Sequence, residues 1–256
     1  MMPLHNSNSC WFESLSTASA PLLRLYCFPY GGGNAYAFRE WQRCLAPEID
    51  ACLVHLPGRA RRICEQPYTR MRPLVQELAN AMRGEHHGPF AFYGHSMGAL
   101  IGFELARELR RRNCDMPAHL FLSACHAPNV VTDAPSTFNL PVLEFIAAIQ
   151  KLKGTPKEFF EHIEIQNAFL PLLRADFELT DTYEYLAEPP LACPITVYGG
   201  EQDELTTETS LFSWDVQTSA EYTLRLFPGD HFFIRCPKTE FVTILRQDVL
   251  RALSLA

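Results

Sequence analysis

From residue 22 onward, short apolar runs alternate with stretches of helical periodicity. Leu22 to Phe28 has the character of a strand and stops at Pro29, and Ala37 to Leu45 follows as a helix. Ala51 to Leu56 is a second strand, ended by Pro57-Gly58. Pro73 to Met82 carries Leu74, Leu78, Ala81 and Met82 on one helical face. Phe90 to Tyr93 is a buried strand that ends at Gly94. Ala99 to Arg112 is a long helix with Leu100, Phe103, Leu105 and Leu109 turned inward, and Leu120 to Ala124 is the next strand. Strands that alternate with helices predict an α/β class, with a mostly parallel sheet covered on both faces.

Between about 128 and 190 the rhythm changes. Val142 to Lys153, Pro156 to Phe169 and Pro171 to Leu186 all show helical patterns, with no strand among them. The alternation resumes at Ile195 to Tyr198 and Tyr222 to Phe227, and closes with a helix near Glu240 to Leu253. A helical block inserted between two strands of one sheet predicts a lid above the strand ends. A separate helical domain is the alternative, but the sheet needs the strands on both sides of the block. The organisation expected is a flexible leader over 1–20 and one domain over 21–256.

Composition narrows the field. The 256 residues are 47% hydrophobic and 20% charged, enough for a sizeable core. A net charge of −7 argues against nucleic acid as a partner. The nine cysteines are odd in number and contain no Cys-x-x-Cys, so neither a disulfide framework nor a zinc ribbon is indicated. Ala18-Ser19-Ala20 has the form of a signal-peptidase site, yet the residues before it lack both a basic start and an apolar stretch. No run is long enough to span a bilayer. The expectation is a cytoplasmic protein with no membrane partner.

The chemistry centres on Gly94-His95-Ser96-Met97-Gly98. This G-x-S-x-G stands between a strand and a helix, as the nucleophile elbow of an α/β-hydrolase fold does. Glycines at both ends let strand and helix approach closely, and the serine projects from a tight turn. The N–H of Met97 begins the helix and can receive an oxyanion. A serine hydroxyl needs a base. Of the histidines downstream, His231 lies in a turn after the last strand, whereas His119 opens a strand and His162 falls in a helix. His126 precedes any suitable acid. Asp203 follows the preceding strand and is the expected acid, ahead of Asp176 and Asp181 in the helical block. The loop Phe28-Pro29-Tyr30-Gly31-Gly32-Gly33-Asn34 can supply a second oxyanion donor, with Gly31 the first choice and Gly32 next. It has neither G-x-G-x-x-G nor a Gly-Lys-Ser/Thr ending.

Together, Phe28 to Gly33, Leu56-Pro57-Gly58-Arg59, Gly94 to Gly98, Gly199 to Asp203 and Gly229-Asp230-His231-Phe232 resemble the type II thioesterases. These are the stand-alone editing enzymes of polyketide and nonribosomal peptide synthesis. Where the family often has His-Ala or Trp-Ala, this chain has Tyr30-Gly31. The resemblance implies an acyl or aminoacyl thioester on the phosphopantetheine arm of a carrier protein as substrate, a Ser-His-Asp mechanism, and no metal or dissociable cofactor. The arm and its acyl group are expected to meet Tyr30, Gly32, Phe138, Phe145 and Phe232. Leu140, Leu143, Phe159, Phe160, Phe169 and Leu172 add apolar surface that a moving lid could offer to an acyl chain. An acidic carrier calls for a local cationic patch, expected at Arg59, Arg61 and Arg62, with Lys151, Lys153 and Lys157 as the second choice. An oxygen-ester hydrolase, an acyltransferase and a non-catalytic carrier-binding module remain open on the same residues.

Overall fold

A computed structural model of the chain describes residues 10–18, 20–85, 88–130, 136–235 and 238–255. Seven strands form one sheet: β1 (Phe12–Ser14), β2 (Leu23–Phe28), β3 (Ile49–Val54), β4 (Phe90–His95), β5 (Leu120–Ser123), β6 (Ile195–Gly200) and β7 (Tyr222–Phe227). Their order is β1-β3-β2-β4-β5-β6-β7. Only β1 is antiparallel, pairing with β3. The helices are α1 (Gln42–Leu45), α2 (Met71–Ala81), α3 (Met97–Arg111), α4 (Val142–Lys151), α5 (Lys157–Glu161), α6 (Ile163–Asp181), α7 (Glu208–Phe212) and α8 (Lys238–Leu255).

The period of two along each strand feeds two apolar layers. Tyr26, Phe28, Phe90 and Phe92 pack on one face with Leu74, Leu78, Ile101 and Phe103 of α2 and α3. Leu25, Cys27, Ala91 and Tyr93 pack on the other with Trp41, Leu45, Phe241 and Leu245. Strands buried on both faces read as continuous apolar runs, which is why the sequence shows them so plainly. Chain order places β3 on one side of β2 and β4 on the other. The crevice at the carboxyl ends of β2 and β4 is therefore a topological switch point, where ligand sites form in open α/β sheets.

Three expectations change. The leader expected over 1–20 contains β1, whose Phe12, Glu13 and Ser14 pair with Val54, Leu53 and Cys52. Trp11 and Phe12 are buried, so this segment is held by an edge pairing and two aromatic anchors. Residues 1–9 and Ser19 lie outside the described residues, as does 131–135 of the helical block. The helix expected from Ala37 begins as a 3₁₀ turn, Ala35–Trp41, capped by the Asn34 side chain, and only its last four residues are α1. Pro171 does not separate two helices. It lies inside α6, and the break falls at His162, with φ −123° and ψ 112°. Leu172, Leu173, Ala175, Asp176 and Leu179 are buried on one side of α6, and that packing outweighs the hydrogen bond the proline removes.

Candidate active site

Ser96 sits between β4 and α3 with φ 53° and ψ −120°, a backbone state that side chains rarely adopt. Two close approaches hold it there. A Cβ on Gly94 would come 2.2 Å from the carbonyl oxygen of Gly98, and one on Gly98 would come 2.2 Å from that of Phe28. The second contact also sets the start of α3 against the end of β2, which brings the glycine turn beside the elbow.

His231 and Asp203 arrive from the loops after β7 and β6. These loops are tied by hydrogen bonds from Gln202 N–H to the Gly229 carbonyl (2.9 Å) and from Gly229 N–H to the Gln202 side chain (2.6 Å). Nδ1 of His231 is 2.8 Å from Oδ2 of Asp203, and Nε2 is 3.0 Å from Oγ of Ser96. A carboxylate on Nδ1 selects the tautomer with the proton there, so Nε2 is free to accept the Ser96 hydroxyl. Asp203 also accepts from Leu205 N–H at 2.8 Å and Thr206 Oγ1 at 2.6 Å. Burial alone would raise its pKa, but the His231 hydrogen bond and charge, with these two donors, hold the carboxyl below its ordinary range.

The glycine turn has a defined geometry. Gly33 N–H donates to the Tyr30 carbonyl at 2.9 Å and Gly32 has φ +71°, the pattern of a type II turn with Gly31 and Gly32 at its centre. Gly32 N–H donates to Oδ2 of Asp176 at 2.7 Å. Among the described residues no hydrogen bond uses the N–H of Gly31 or of Met97. Of the two glycines weighed as donors, Gly31 is thus the one with an N–H to offer. Leu173 comes within 2.5 Å of where a Gly32 Cβ would stand, so only glycine fits beside α6 at this half-buried position.

Tyr30 and Phe232 lie beside the triad, the second with its ring next to the His231 imidazole. Their rings meet edge-on at 5.2 Å, and both lie against the ring of His95. The Arg235 guanidinium lies 4.0 Å from the centre of the Phe232 ring and reaches the Tyr30 hydroxyl and the Gly154 carbonyl, each at 3.1 Å. The turn between α4 and α5 thereby rests on the His231 loop. His95 is fully buried, with Nδ1 2.9 Å from Ser123 Oγ and its ring 5.4 Å from that of His231. Burial, and then the positive field of His231, push its pKa far down, so it stays neutral beside the base.

Two other groups of residues fall elsewhere. Phe145 is fully buried in a small lid core with Ile149, Phe159, Leu170 and Leu173, edge-on to Phe177 and beneath Arg174. It joins α4 to α5 and α6 and has no exposed surface to offer a substrate. Phe138 is half-buried, its N–H taken by Asp181. The arginine patch is also corrected. Arg59 is 5% and Arg62 7% exposed, the first paired with Asp176, the second with Glu65, the His55 carbonyl and the face of Trp11. Arg61 reaches Glu13 and the carbonyls of Cys10 and Phe12. Arg59 thus ties the β3 loop to α6, Arg62 braces the same loop, and Arg61 links it to β1 while staying exposed. Sequence reasoning missed the Asp176 pairing, Thr206 and Arg235. An acid on the otherwise apolar face of α6 was the available signal for the first.

A mostly parallel sheet, an elbow serine at its switch point and a histidine bridging that serine to an acid define an α/β-hydrolase. Residues 23–248 match the thioesterase domain family, so the chain belongs to the thioesterases and is a thioester hydrolase. It is 41% identical to gramicidin S biosynthesis protein GrsT of Aneurinibacillus migulanus over 92% of both chains. Linear gramicidin dehydrogenase LgrE of Brevibacillus parabrevis is 40% identical over 96% of this chain and 94% of its own. No G-x-G-x-x-G dinucleotide signature accompanies that second name here. Among solved structures, RedJ, a thioesterase of the prodiginine pathway in Streptomyces coelicolor, superposes with a TM-score of 0.84 at 35% identity, covering 91% of this chain and 92% of its own. ClbQ of the colibactin pathway reaches a TM-score of 0.86 at 30% identity, covering 91% and 99%. Among the described residues no helix is long and apolar enough to cross a membrane.

Proposed function

We propose that the protein is an editing thioesterase that clears acyl or aminoacyl groups from the phosphopantetheine arm of carrier proteins in a polyketide or nonribosomal peptide pathway. The observation that carries this reading is the single imidazole of His231 within hydrogen-bond reach of both Ser96 and Asp203 in a thioesterase-family chain. Ser96 Oγ attacks the thioester carbonyl as His231 Nε2 takes its proton. The oxyanion is received by the N–H groups of Gly31 and Met97. The carbon–sulfur bond breaks, and the thiolate takes the proton from His231. Water then attacks the acyl-Ser96 ester with His231 again as base, and the free acid leaves. Every proton and charge in this sequence is handled by the chain's own groups. Likeness to proteins named for gramicidin S, prodiginine and colibactin pathways supports a carrier-bound substrate. With Arg59 and Arg62 buried, the exposed Lys151, Lys153 and Lys157 of the inserted block are the cluster we assign to an acidic carrier, although Lys153 and Lys157 also pair with Glu204 and Glu161.

The test is mass spectrometry of carrier proteins loaded with a range of acyl and aminoacyl groups, before and after incubation. We expect the loaded arms to return to free thiols, and Ser96→Ala to lower the rate by about 10⁴-fold or more. Near-normal turnover by folded Ser96→Ala, or faster cleavage of oxygen esters than of any thioester, would overturn the reading.

A further inference from the structure

The turn that supplies Gly31 is held by a residue of the inserted block. Oδ2 of Asp176, on α6, accepts from Gly32 N–H at 2.7 Å and from Arg59 at 2.8 Å, while Oδ1 accepts a second bond from Arg59 at 2.6 Å. Arg59 completes the circuit by donating to the Gly33 carbonyl at 3.1 Å. Asp176 is 2% and Arg59 5% exposed, and both line a small void that also touches Met97. Two charge-assisted bonds thus reach a three-glycine turn with little intrinsic preference for one conformation, and two more lock together the pair that makes them. Which way the Gly31–Gly32 peptide faces separates a type II turn from a type I turn. Asp176 takes that peptide's N–H. Without it that peptide is free to flip, which changes ψ at Gly31 and φ at Gly32, so the turn that carries the Gly31 N–H on its preceding peptide is no longer held in one conformation.

We infer that Arg59 and Asp176 form a buried positioning pair that fixes the oxyanion turn, making α6 part of the catalytic frame instead of the moving lid. The inference rests on the reading of Ser96 as nucleophile and of Gly31 as an oxyanion donor. It divides the inserted block: α6 is pinned to the loops after β2 and β3, and opening is left to α4 and α5. Neither residue touches substrate, so the pair acts only through the turn.

The experiment uses the full chain with a small acyl thioester that carries no protein. Removing one partner alone would strand a buried charge, so the main variant is Arg59→Met with Asp176→Leu, which replaces the pair by apolar groups of similar size. Asp176→Asn is the second variant, scored per active site titrated with a fluorophosphonate. We expect kcat per titrated site to fall roughly 100-fold with KM within about threefold, the mark of a lost transition-state interaction. Inhibition by an alkyl boronic acid, whose adduct on Ser96 places an oxygen at the oxyanion position, should weaken by a similar factor. A lower melting temperature with kcat per site and boronate inhibition unchanged would overturn the inference. So would a rise in KM alone, which would make α6 a wall of the acyl pocket. Ser96→Ala is run alongside: if it turns over, the functional reading falls and takes this one with it. If it is inert while the double variant matches wild type, only the inference falls.

Discussion

The two sides of the active site are built differently. On the elbow side, backbone meets backbone: Gly94 on Gly98, Gly98 on Phe28 and Gly200 on Asp230, each with no room for a methyl group. On the lid side, α4 and α5 pack Phe145, Ile149 and Phe159 against Leu170 and Leu173 of α6 in a small core of their own. Val142, Leu143, Ile163 and Phe169 of the same block remain exposed, Leu143 by 81%. Close backbone packing cannot deform by small steps, so it fixes the triad. A small cluster between α4, α5 and α6 can part more easily than that packing, so it suits a gate in which α4 and α5 move against a fixed α6. The contrast assigns geometry to the sheet and access to the insertion, with α6 belonging to the sheet side.

The largest effect that sharpens this contrast comes from the acid. Asp203→Asn keeps the shape of the loop but removes the carboxylate that selects the His231 tautomer. A fall in kcat of about 10⁴-fold with KM little changed is expected in steady-state assays. A greater loss from Asp176→Asn than from Asp203→Asn would exchange their roles and move the catalytic acid into the insertion.

The elbow, the base and the acid were legible because their causes are local: a glycine pair around a serine, and loops that follow strands. The regular strands were legible because burial on both faces leaves unbroken apolar runs. What could not be read depends on partners far along the chain. Arg59 is bound to a carboxylate 117 residues away, so its sequence neighbourhood looked like an exposed basic turn. Phe12-Glu13-Ser14 is too short to announce a strand and becomes one only against β3. Phe145 looked like pocket lining because a helical period shows that a face is buried, and not what covers it.

Gly98→Ala tests the elbow side directly. The new methyl must displace the Phe28 carbonyl, and with it the strand end that leads into the oxyanion turn. A stability loss of about 3 kcal/mol in urea titration is expected from overpacking. Turnover by the folded fraction should fall roughly 100-fold from misplacement of the donor. Full activity in the folded fraction would show that backbone packing at this point does not set the geometry.

Phe145→Ala tests the lid side. The substitution empties the centre of the satellite core, where loss of a phenylalanine costs about 3–5 kcal/mol of local stability. Proteolysis and hydrogen exchange across 140–165 should accelerate, while fluorophosphonate labelling of Ser96 persists and the main unfolding transition shifts little. A drop in the main transition as large as that of Phe92→Ala, which lies in the sheet core, would show that the lid and the sheet unfold together.

The smallest effect contrasts the two ends of the sheet. At the end far from Ser96, His119 is 8% exposed, stacked on Phe121 at 4.3 Å, with Nε2 2.8 Å from Thr196 Oγ1 and Nδ1 unpartnered among the described residues. It lines a cavity of about 120 Å³ shared with Glu221, Arg225, Asp248 and Arg251. Burial lowers its pKa to about 4 against an ordinary 6.5, and Asp248 offsets only part of this. Below pH 6.5 the unfolded chain therefore binds a proton that the folded chain refuses until about pH 4. Stability contributed by the neutral, buried ring is intact above pH 6.5 and is lost progressively as pH falls toward 4, by about 3 kcal/mol at most. The acid of the triad follows the same sign in a lower window. The depressed pKa of Asp203 gives a contribution that is present above the ordinary carboxylate value of 3.8 and is lost as pH falls below it through the lowered folded value. His119→Gln retains a donor for Thr196 and removes the titration. Urea titrations of both proteins at about pH 7.5 and 4.5 should show the variant gaining roughly 2 kcal/mol on wild type as the pH drops. Equal losses in the two proteins would show that His119 binds its proton in the folded state as readily as in the unfolded chain.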